Sequence, residues 1–159
     1  MQKELISEQG FQAFVQEFNQ LLNVEKPHWV KEKEIAAAFG DRSENAEYLA
    51  AKEMLRNLDK RLRFLKKIID SSTVVQPQTL SHDKVNFGSK VTLFDMQSGE
   101  EKHYIILGTH ETNPSLNIIS NKSPLGKALL TRHVGDEVEL HIQGEIFEYE
   151  IIHIEMASL

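Results

Sequence analysis

The strongest constraint on the fold is a heptad pattern in the first half of the chain. Its apolar residues recur at alternating spacings of three and four, at Tyr48, Ala51, Leu55, Leu58, Leu62, Leu65 and Ile69. A 3.5-residue period of this kind predicts a helix that packs along one stripe against a partner helix. At 1.5 Å per residue, a helix over residues 44–70 would be roughly 40 Å long. A small domain could cover only part of such a helix, so we expect an extended arm.

A partner helix is predicted immediately upstream. Ser7 suits an N-cap, and Pro27 interrupts the pattern, where we expect a bend. The apolar stripe comprises Phe11, Phe14, Val15, Phe18, Leu21 and Leu22, then Trp29, Val30 and residues 35–39. Gly40 suits a left-handed C-terminal cap. Because few residues separate the two patterns, residues 1–75 should form an antiparallel coiled-coil hairpin with its tip at residues 40–47.

The second half of the chain has a period of two. Residues 71–73 and 76–78 predict a linker, and five candidate strands follow it: Ser89–Asp95, Lys102–Leu107, Asn117–Ser120, Glu137–Ile142 and Ile146–Ile154. A short helix is predicted over residues 125–130, with Ser123 as its cap and Pro124 in its first turn. Residues 76–159 should therefore form a small, mostly antiparallel sheet with one helix, and the whole chain should be α+β.

Composition removes several classes of function. The 159 residues contain no cysteine, which excludes disulfides and thiolate zinc sites. Lys/Arg and Asp/Glu number 12 and 12 in residues 1–75 but 6 and 12 in the remainder, for a net charge of −6. A chain with so little basic excess is not a typical binder of duplex nucleic acid. The polar N-terminus and the lack of a long apolar run predict a cytoplasmic protein without a membrane segment.

Two carboxylates stand at the turn between the predicted helices, and they admit two interpretations. Asp41 and Glu44 have the spacing of an acidic capping box, although Ser43 could cap the helix instead. Alternatively, they could contribute to a Mg²⁺ site, because Mg²⁺ favours one or two carboxylates with water and phosphate oxygens. Two carboxylates cannot hold the ion tightly alone, so a partner would have to supply the other ligands.

The second helix also carries a basic face. Its members are spaced four, four, three and four residues apart: Lys52, Arg56, Lys60, Arg63 and Lys67. Such a row could be an ordinary solvated flank of a coiled coil. It could equally follow the phosphates of a single nucleic-acid strand towards the tip.

Two motifs in separate halves of the chain resemble those of the bacterial Gre transcript-cleavage factors, GreA and GreB. The tip sequence, residues 40–48, reads GDRSENAEY and is similar to the family's coiled-coil signature. Residues 119–130, ISNKSPLGKALL, followed by Val134-Gly135-Asp136, are similar to its C-terminal signature. The order of the parts also agrees, so the resemblance covers nearly the whole chain.

The resemblance implies an N-terminal coiled coil and a C-terminal domain, residues 76–159, related to FKBP that docks on RNA polymerase. The hairpin of such factors enters the secondary channel of the polymerase and stimulates cleavage of the nascent RNA 3′ end after backtracking. By position, Asp41 and Glu44 would be the catalytic carboxylates that help hold a second Mg²⁺ shared with the polymerase, and Ser43 would support the tip. Lys52, Arg56, Lys60 and Arg63 would contact RNA.

On this resemblance the chain is an accessory to the polymerase, without a complete active site of its own, and acts as a monomer. Two alternatives remain open. One is a non-catalytic regulator that occupies the same channel as an inhibitor or initiation modulator. The other is a scaffold coiled coil unrelated to transcription.

Overall fold

The computed structural model describes residues 3–41 and 44–159. The described chain divides into two compact units. One, the hairpin unit, is Phe11–Ser71; the other, the sheet unit, combines the residues up to Gly10 with Ser72–Leu159. Helices dominate the first unit and strands the second, so the predicted α+β class is confirmed. The relation of the sheet unit to FKBP stays a prediction.

The helices are α1 (Glu8–Gln20), α2 (Lys26–Ala37) and α3 (Ala46–Ser71), with α2 packed against α3. The predicted seam of α3 is confirmed in its middle, where the buried residues are Ala51, Leu58, Leu62 and Leu65. Its last member differs from the prediction, because Ile68 is buried and Ile69 only half-buried. Spacings of three and four both keep a side chain on one helix face, so the heptad pattern alone does not decide between these neighbours.

Close to the position of the predicted bend at Pro27, the structure has a π-helical turn at Leu21–Glu25, immediately before α2, and the bend itself stays a prediction. Proline lacks an N–H group, and its ring crowds the carbonyl four residues earlier. A wider π turn relieves this conflict without ending the helix. Beside the turn, Lys26 Nζ lies 3.0 Å from Asp59 Oδ1 of α3, which links the two arms of the hairpin.

The sheet unit contains a five-stranded sheet of order β5-β4-β3-β7-β6. Its strands are β3 (Ser89–Asp95), β4 (Glu101–Leu107), β5 (Ile118–Ser120), β6 (Glu137–Ile142) and β7 (Glu145–Met156). Neighbouring strands are antiparallel except β4 and β5, which are parallel. Helix α4 (Pro124–Leu129) is capped by the hydroxyl of Ser123, which accepts from Gly126 N at 3.0 Å. The five predicted strands and the short helix are therefore confirmed.

The structure differs from the prediction at the junction of the units. Strand β1 (Glu4–Ser7) pairs in parallel with β2 (Ser72–Val75), which includes residues predicted to be linker. The expected division after residue 75 therefore gives way to a division around residues 10 and 71. The reason is long-range: the backbone groups of these two short segments pair with each other, and Ile6 is fully buried.

The carboxylate of Glu111 connects β1 to the rest of the sheet unit. Glu111 accepts hydrogen bonds from the N–H groups of Ser7 and Gly108, both at 3.0 Å, and from the hydroxyl of Ser7. The same hydroxyl accepts from Gly10 N at 3.1 Å, which confirms Ser7 as the N-cap of α1. Gly108 has no room for a side chain, because a Cβ there would lie 1.8 Å from the carbonyl oxygen of Leu5.

A second carboxylate organises the turn between β3 and β4. Asp95 Oδ1 accepts from the N–H groups of Gln97 at 2.9 Å and Ser98 at 3.2 Å, and Lys102 Nζ lies 3.2 Å from Oδ2. These backbone hydrogen bonds, followed by the contact with Lys102, lower the pKa of Asp95 below its ordinary value. Asp95 thus stabilises the turn in its charged form.

Candidate functional site: the tip of the hairpin

The tip begins where α2 ends. Ala38 N and Phe39 N donate to carbonyls three residues back, Ile35 O at 3.2 Å and Ala36 O at 3.1 Å, which tightens the last turn. Gly40 then adopts a φ of +146°, a region that favours glycine. The predicted left-handed cap at Gly40 is wrong in detail, because this φ lies far from the left-handed helical value near about +57° and the C-cap is Ala38.

Helix α3 begins with a different cap from those considered in the sequence. Asn45 Oδ1 accepts from Tyr48 N at 3.1 Å, the hydrogen bond of an N-cap residue to the third helical N–H. The capping box expected from Asp41 and Glu44 is therefore wrong. The alternative cap, Ser43, lies outside the described residues. Asparagine directly before a helical pattern is a favoured N-cap, so the sequence carries a local signal for this cap at Asn45.

The two carboxylate residues both lie in the connection between α2 and α3. Asp41 and Glu44 are exposed, and Glu44 N donates to Asp41 O at 3.3 Å, which brings the two residues close together. They line one concave surface at the tip together with Phe39, Gly40, Asn45, Ala46 and Glu47. The structure thus places both predicted carboxylates at one end of the hairpin unit, on its solvent-exposed surface.

The chemistry of this pair suits a shared divalent cation. Carboxylate oxygens are hard ligands of the kind that Mg²⁺ accepts, and exposed carboxylates leave room for water and phosphate oxygens. In the part of the chain that the structure describes, no three His, Cys, Asp or Glu side chains come together as a metal site. Two carboxylates supply only part of the coordination shell of Mg²⁺, so an ion at Asp41 and Glu44 would need further ligands from elsewhere. Their roles in metal binding and catalysis stay predictions.

The predicted basic residues lie along α3. Lys52, Arg56, Lys60 and Arg63 are all exposed. Arg56 Nη2 lies 2.7 Å from Glu53 Oε1, an exposed pair one helical turn apart. Such pairs are weak, about 0–1 kcal/mol, and can be exchanged for another anion. The face is thus available to solvent, and its binding of RNA stays a prediction.

A neighbouring arginine has a structural role instead. Arg61 donates to both carboxylate oxygens of Glu17, at 2.7 and 2.9 Å, and its guanidinium carbon lies 5.2 Å from the ring centre of Phe64. The hydrogen bonds to Glu17 raise the pKa of Arg61 above its ordinary value. Arg61 therefore joins α1 to α3.

A chain that combines a helical hairpin, with exposed carboxylates between its helices, and a small mixed sheet belongs to a class of proteins that present carboxylates at the end of a helical pair. Two family comparisons agree with this architecture. Residues 4–74 match the family described as "Transcription elongation factor, N-terminal". Residues 80–156 match "Transcription elongation factor, GreA/GreB, C-term". The chain therefore belongs to the GreA/GreB family of transcription elongation factors, as its two motifs predicted.

Individual relatives extend over most of the chain. It is 40% identical over 151 residues to "Transcription elongation factor GreA" of Nautilia profundicola, covering 95% of this chain and 93% of that protein. It is 39% identical over 154 residues to the protein of the same name from Helicobacter pylori strain Shi470, covering 97% and 94%.

Solved structures with similar folds include a GreA factor homologue, Gfh1, of Thermus thermophilus. That chain is 22% identical, with a TM-score of 0.45 and coverage of 97% of this chain and 99% of that one. A GreA/GreB elongation factor from Nitrosomonas europaea is 20% identical, with a TM-score of 0.42 and coverage of 96% and 98%. In the described residues, no helix is both long enough and apolar enough to cross a membrane.

Proposed function

We propose that this protein binds RNA polymerase, inserts its hairpin into the secondary channel and stimulates cleavage of the nascent RNA 3′ end in backtracked complexes. The observation that carries this proposal is the exposure of Asp41 and Glu44 in the turn between α2 and α3. Membership of the GreA/GreB family supports the setting of transcription elongation. The protein would act in the cytoplasm as a monomer and as an accessory, with the polymerase supplying the rest of the active site.

The carboxylates would act through their oxygens. Asp41 and Glu44 would hold a second Mg²⁺ jointly with the polymerase and orient the attacking water by accepting its hydrogen bonds. When bound, Mg²⁺ supplies charge stabilisation and lowers the pKa of a coordinated water. Since Asn45 caps α3, this turn places both carboxylates before the helix rather than at its N-cap.

The basic face would guide the displaced RNA. Lys52, Arg56, Lys60 and Arg63 lie at successive turns of α3, so a single strand that follows the helix would meet a cation at each turn. The ion pair between Arg56 and Glu53 is exposed and therefore weak. A phosphate could replace the carboxylate of Glu53 at little cost in free energy.

The experiment that tests the proposal compares RNA cleavage by backtracked polymerase complexes with Mg²⁺ and either the wild-type protein or Asp41→Asn/Glu44→Gln. We expect the variant to lose at least about a hundredfold in cleavage rate, which corresponds to about 2.7 kcal/mol of barrier. Binding to polymerase should persist, because the sheet unit is the proposed anchor. Release of the same fragments at the same rate by both proteins would contradict the proposal.

A charge-matched control separates local chemistry from general electrostatics. Glu32→Gln/Glu34→Gln also removes two exposed negative charges, but from α2 rather than from the turn, and should leave the cleavage rate unchanged. If the wild-type protein instead reduces RNA synthesis without producing fragments, it is a non-catalytic occupant of the channel. Failure to bind core polymerase would indicate a scaffold coiled coil unrelated to transcription.

A further inference from the structure

One side chain at the tip joins the ends of two helices. Asn45 Oδ1 accepts from Tyr48 N at 3.1 Å, and Asn45 Nδ2 donates to Ala36 O at 2.7 Å. The orientation of the amide follows from its partners, because a backbone N–H can only donate and a backbone carbonyl can only accept. In the flipped amide, Nδ2 would face the donor Tyr48 N and Oδ1 would face the acceptor Ala36 O, so neither hydrogen bond could form.

Both partners are helix-end groups. Tyr48 N belongs to the first turn of α3, where backbone N–H groups lack intrahelical acceptors. Ala36 O belongs to the last turn of α2, where it also accepts from Phe39 N at 3.1 Å. Ala36 is itself 3% exposed, so its carbonyl lies in a tightly packed part of the hairpin. One amide therefore connects α2 to α3 across nine positions of sequence.

The connected segment carries the proposed site. Asp41 lies between the two anchor points, and Glu44 is the residue immediately before Asn45. With the segment fixed at Ala36 and at Asn45, fewer backbone arrangements remain open to both carboxylates than in a turn held only by its helices. Geometry of this kind matters to catalysis, because a displacement of about 1 Å can cost about a hundredfold in rate.

We infer that Asn45 is a positioning residue, whose amide bridge holds Asp41 and Glu44 in the geometry needed to share a cation. This inference rests on the proposed function for its catalytic consequence, but the bridge itself can be tested without it. Its two hydrogen bonds are separable by substitution, which distinguishes positioning from ordinary helix capping.

Asn45→Ser is the most informative variant. Serine is also a good N-cap and can accept from Tyr48 N, but its side chain is too short to donate to Ala36 O. Asn45→Asp likewise keeps the acceptor and loses the donor, and it adds a negative charge that favours a helix N-terminus. If the bridge is what matters, both variants should preserve α3 and impair the site, although only Asn45→Asp changes the local charge.

The first measurement is local mobility. Since the chain has no cysteine, Phe39→Cys gives a single attachment point for a nitroxide at the tip. Phe39 is 76% exposed, so the label can be accommodated there. In the free protein we expect the spectrum of the labelled Asn45→Ser variant to show a more mobile tip than the labelled protein that retains Asn45, at unchanged helical content. Equal mobility in both would overturn the inference.

The second measurement is the dependence of RNA cleavage on Mg²⁺ concentration at saturating factor. For Asn45→Ser and Asn45→Asp we expect about a tenfold or greater loss of rate at limiting Mg²⁺, partly recovered at high Mg²⁺, with polymerase affinity unchanged. A mobile tip with an unchanged Mg²⁺ dependence would overturn the positioning role. If the wild-type protein produces no fragments, the proposed function fails, while the mobility measurement still decides whether Asn45 orders the tip.

Discussion

Removal of the carboxylate of Glu111 should destabilise the sheet unit by a predictable amount. Glu111 accepts from the backbone N–H groups of Ser7 and Gly108 and from the hydroxyl of Ser7. Ser7 is 1% exposed and Gly108 is buried, so in the folded protein both N–H groups depend on this carboxylate for an acceptor. Each buried donor left unsatisfied costs about 1–3 kcal/mol.

For Glu111→Ala we therefore expect the free energy of unfolding to fall by about 2–6 kcal/mol, from two N–H groups left without an acceptor. The hydroxyl of Ser7 loses the acceptor for its O–H as well, although it still accepts from Gly10 N, so this range counts the two N–H groups only. Glu111→Gln retains one side-chain oxygen as an acceptor and should lose only about 1–2 kcal/mol. The free energy of unfolding should therefore decrease in the order wild type, Glu111→Gln, Glu111→Ala. This order tests the reasoning as well as the size of the largest change does.

The assay is urea unfolding followed by circular dichroism, combined with hydrogen exchange of the Ser7 and Gly108 amides. Both amides should lose protection in Glu111→Ala before the sheet as a whole unfolds. Glu100→Ala removes an exposed carboxylate from a loop of the same unit and should change stability by less than about 0.5 kcal/mol. A similarly small effect of Glu111→Ala would refute the reasoning.

Three further predictions concern other parts of the molecule. Gly108→Ala should displace β1, because the new Cβ would lie 1.8 Å from the carbonyl oxygen of Leu5, and exchange of the β1 amides should accelerate while the central sheet stays protected. Asp95 has a lowered pKa in the folded protein, so its stabilising contribution is present above its usual pKa of about 3.9 and lost as pH falls through the folded pKa. The stability advantage of the wild type over Asp95→Asn in urea should accordingly shrink as the pH falls from about 5 through the folded pKa, and a constant difference would contradict this prediction. Lys52→Ala/Arg56→Ala should slow rescue of deeply backtracked complexes more than shallow ones in the cleavage assay, and equal effects would indicate a structural role only.

Local periodicity was sufficient to predict most of the elements. The seam of α3, the five strands of the sheet and the cap of α4 all depend on residues within a few positions of one another. Strand β1 could not be predicted in this way, because its four residues are too few for a pattern and their partner, β2, lies 68 positions further along the chain, as in the pairing of Glu4 with Ser72. Pairing between segments so far apart in sequence depends on how the whole chain folds, and no local pattern indicates it.

The tip illustrates a different limit of prediction from sequence. The sequence identified Asp41 and Glu44 as carboxylates in a turn, but it did not decide which residue caps α3, because Asp, Ser and Asn are all favoured N-caps and all occur between residues 41 and 45. Only a residue that also reaches the end of α2 can bridge the hairpin. The side chain of Asn45 makes that contact by donating to Ala36 O, and this depends on how two helices meet in space.

The antiparallel arrangement of α2 and α3 also determines which groups contribute most to the electric field at the tip. There, the C-terminal end of α2 carries partial negative charge and the N-terminal end of α3 carries partial positive charge, so the two helix dipoles largely offset each other. The field at the tip must then come from side chains, and the neutral amide of Asn45 performs the capping without adding charge. Residues 40–47 contain three carboxylates and one arginine, so the net charge of −2 lies with Asp41 and its neighbours. A cation approaching this end therefore responds to the carboxylates, and substituting them changes its affinity without competing contributions from the helices.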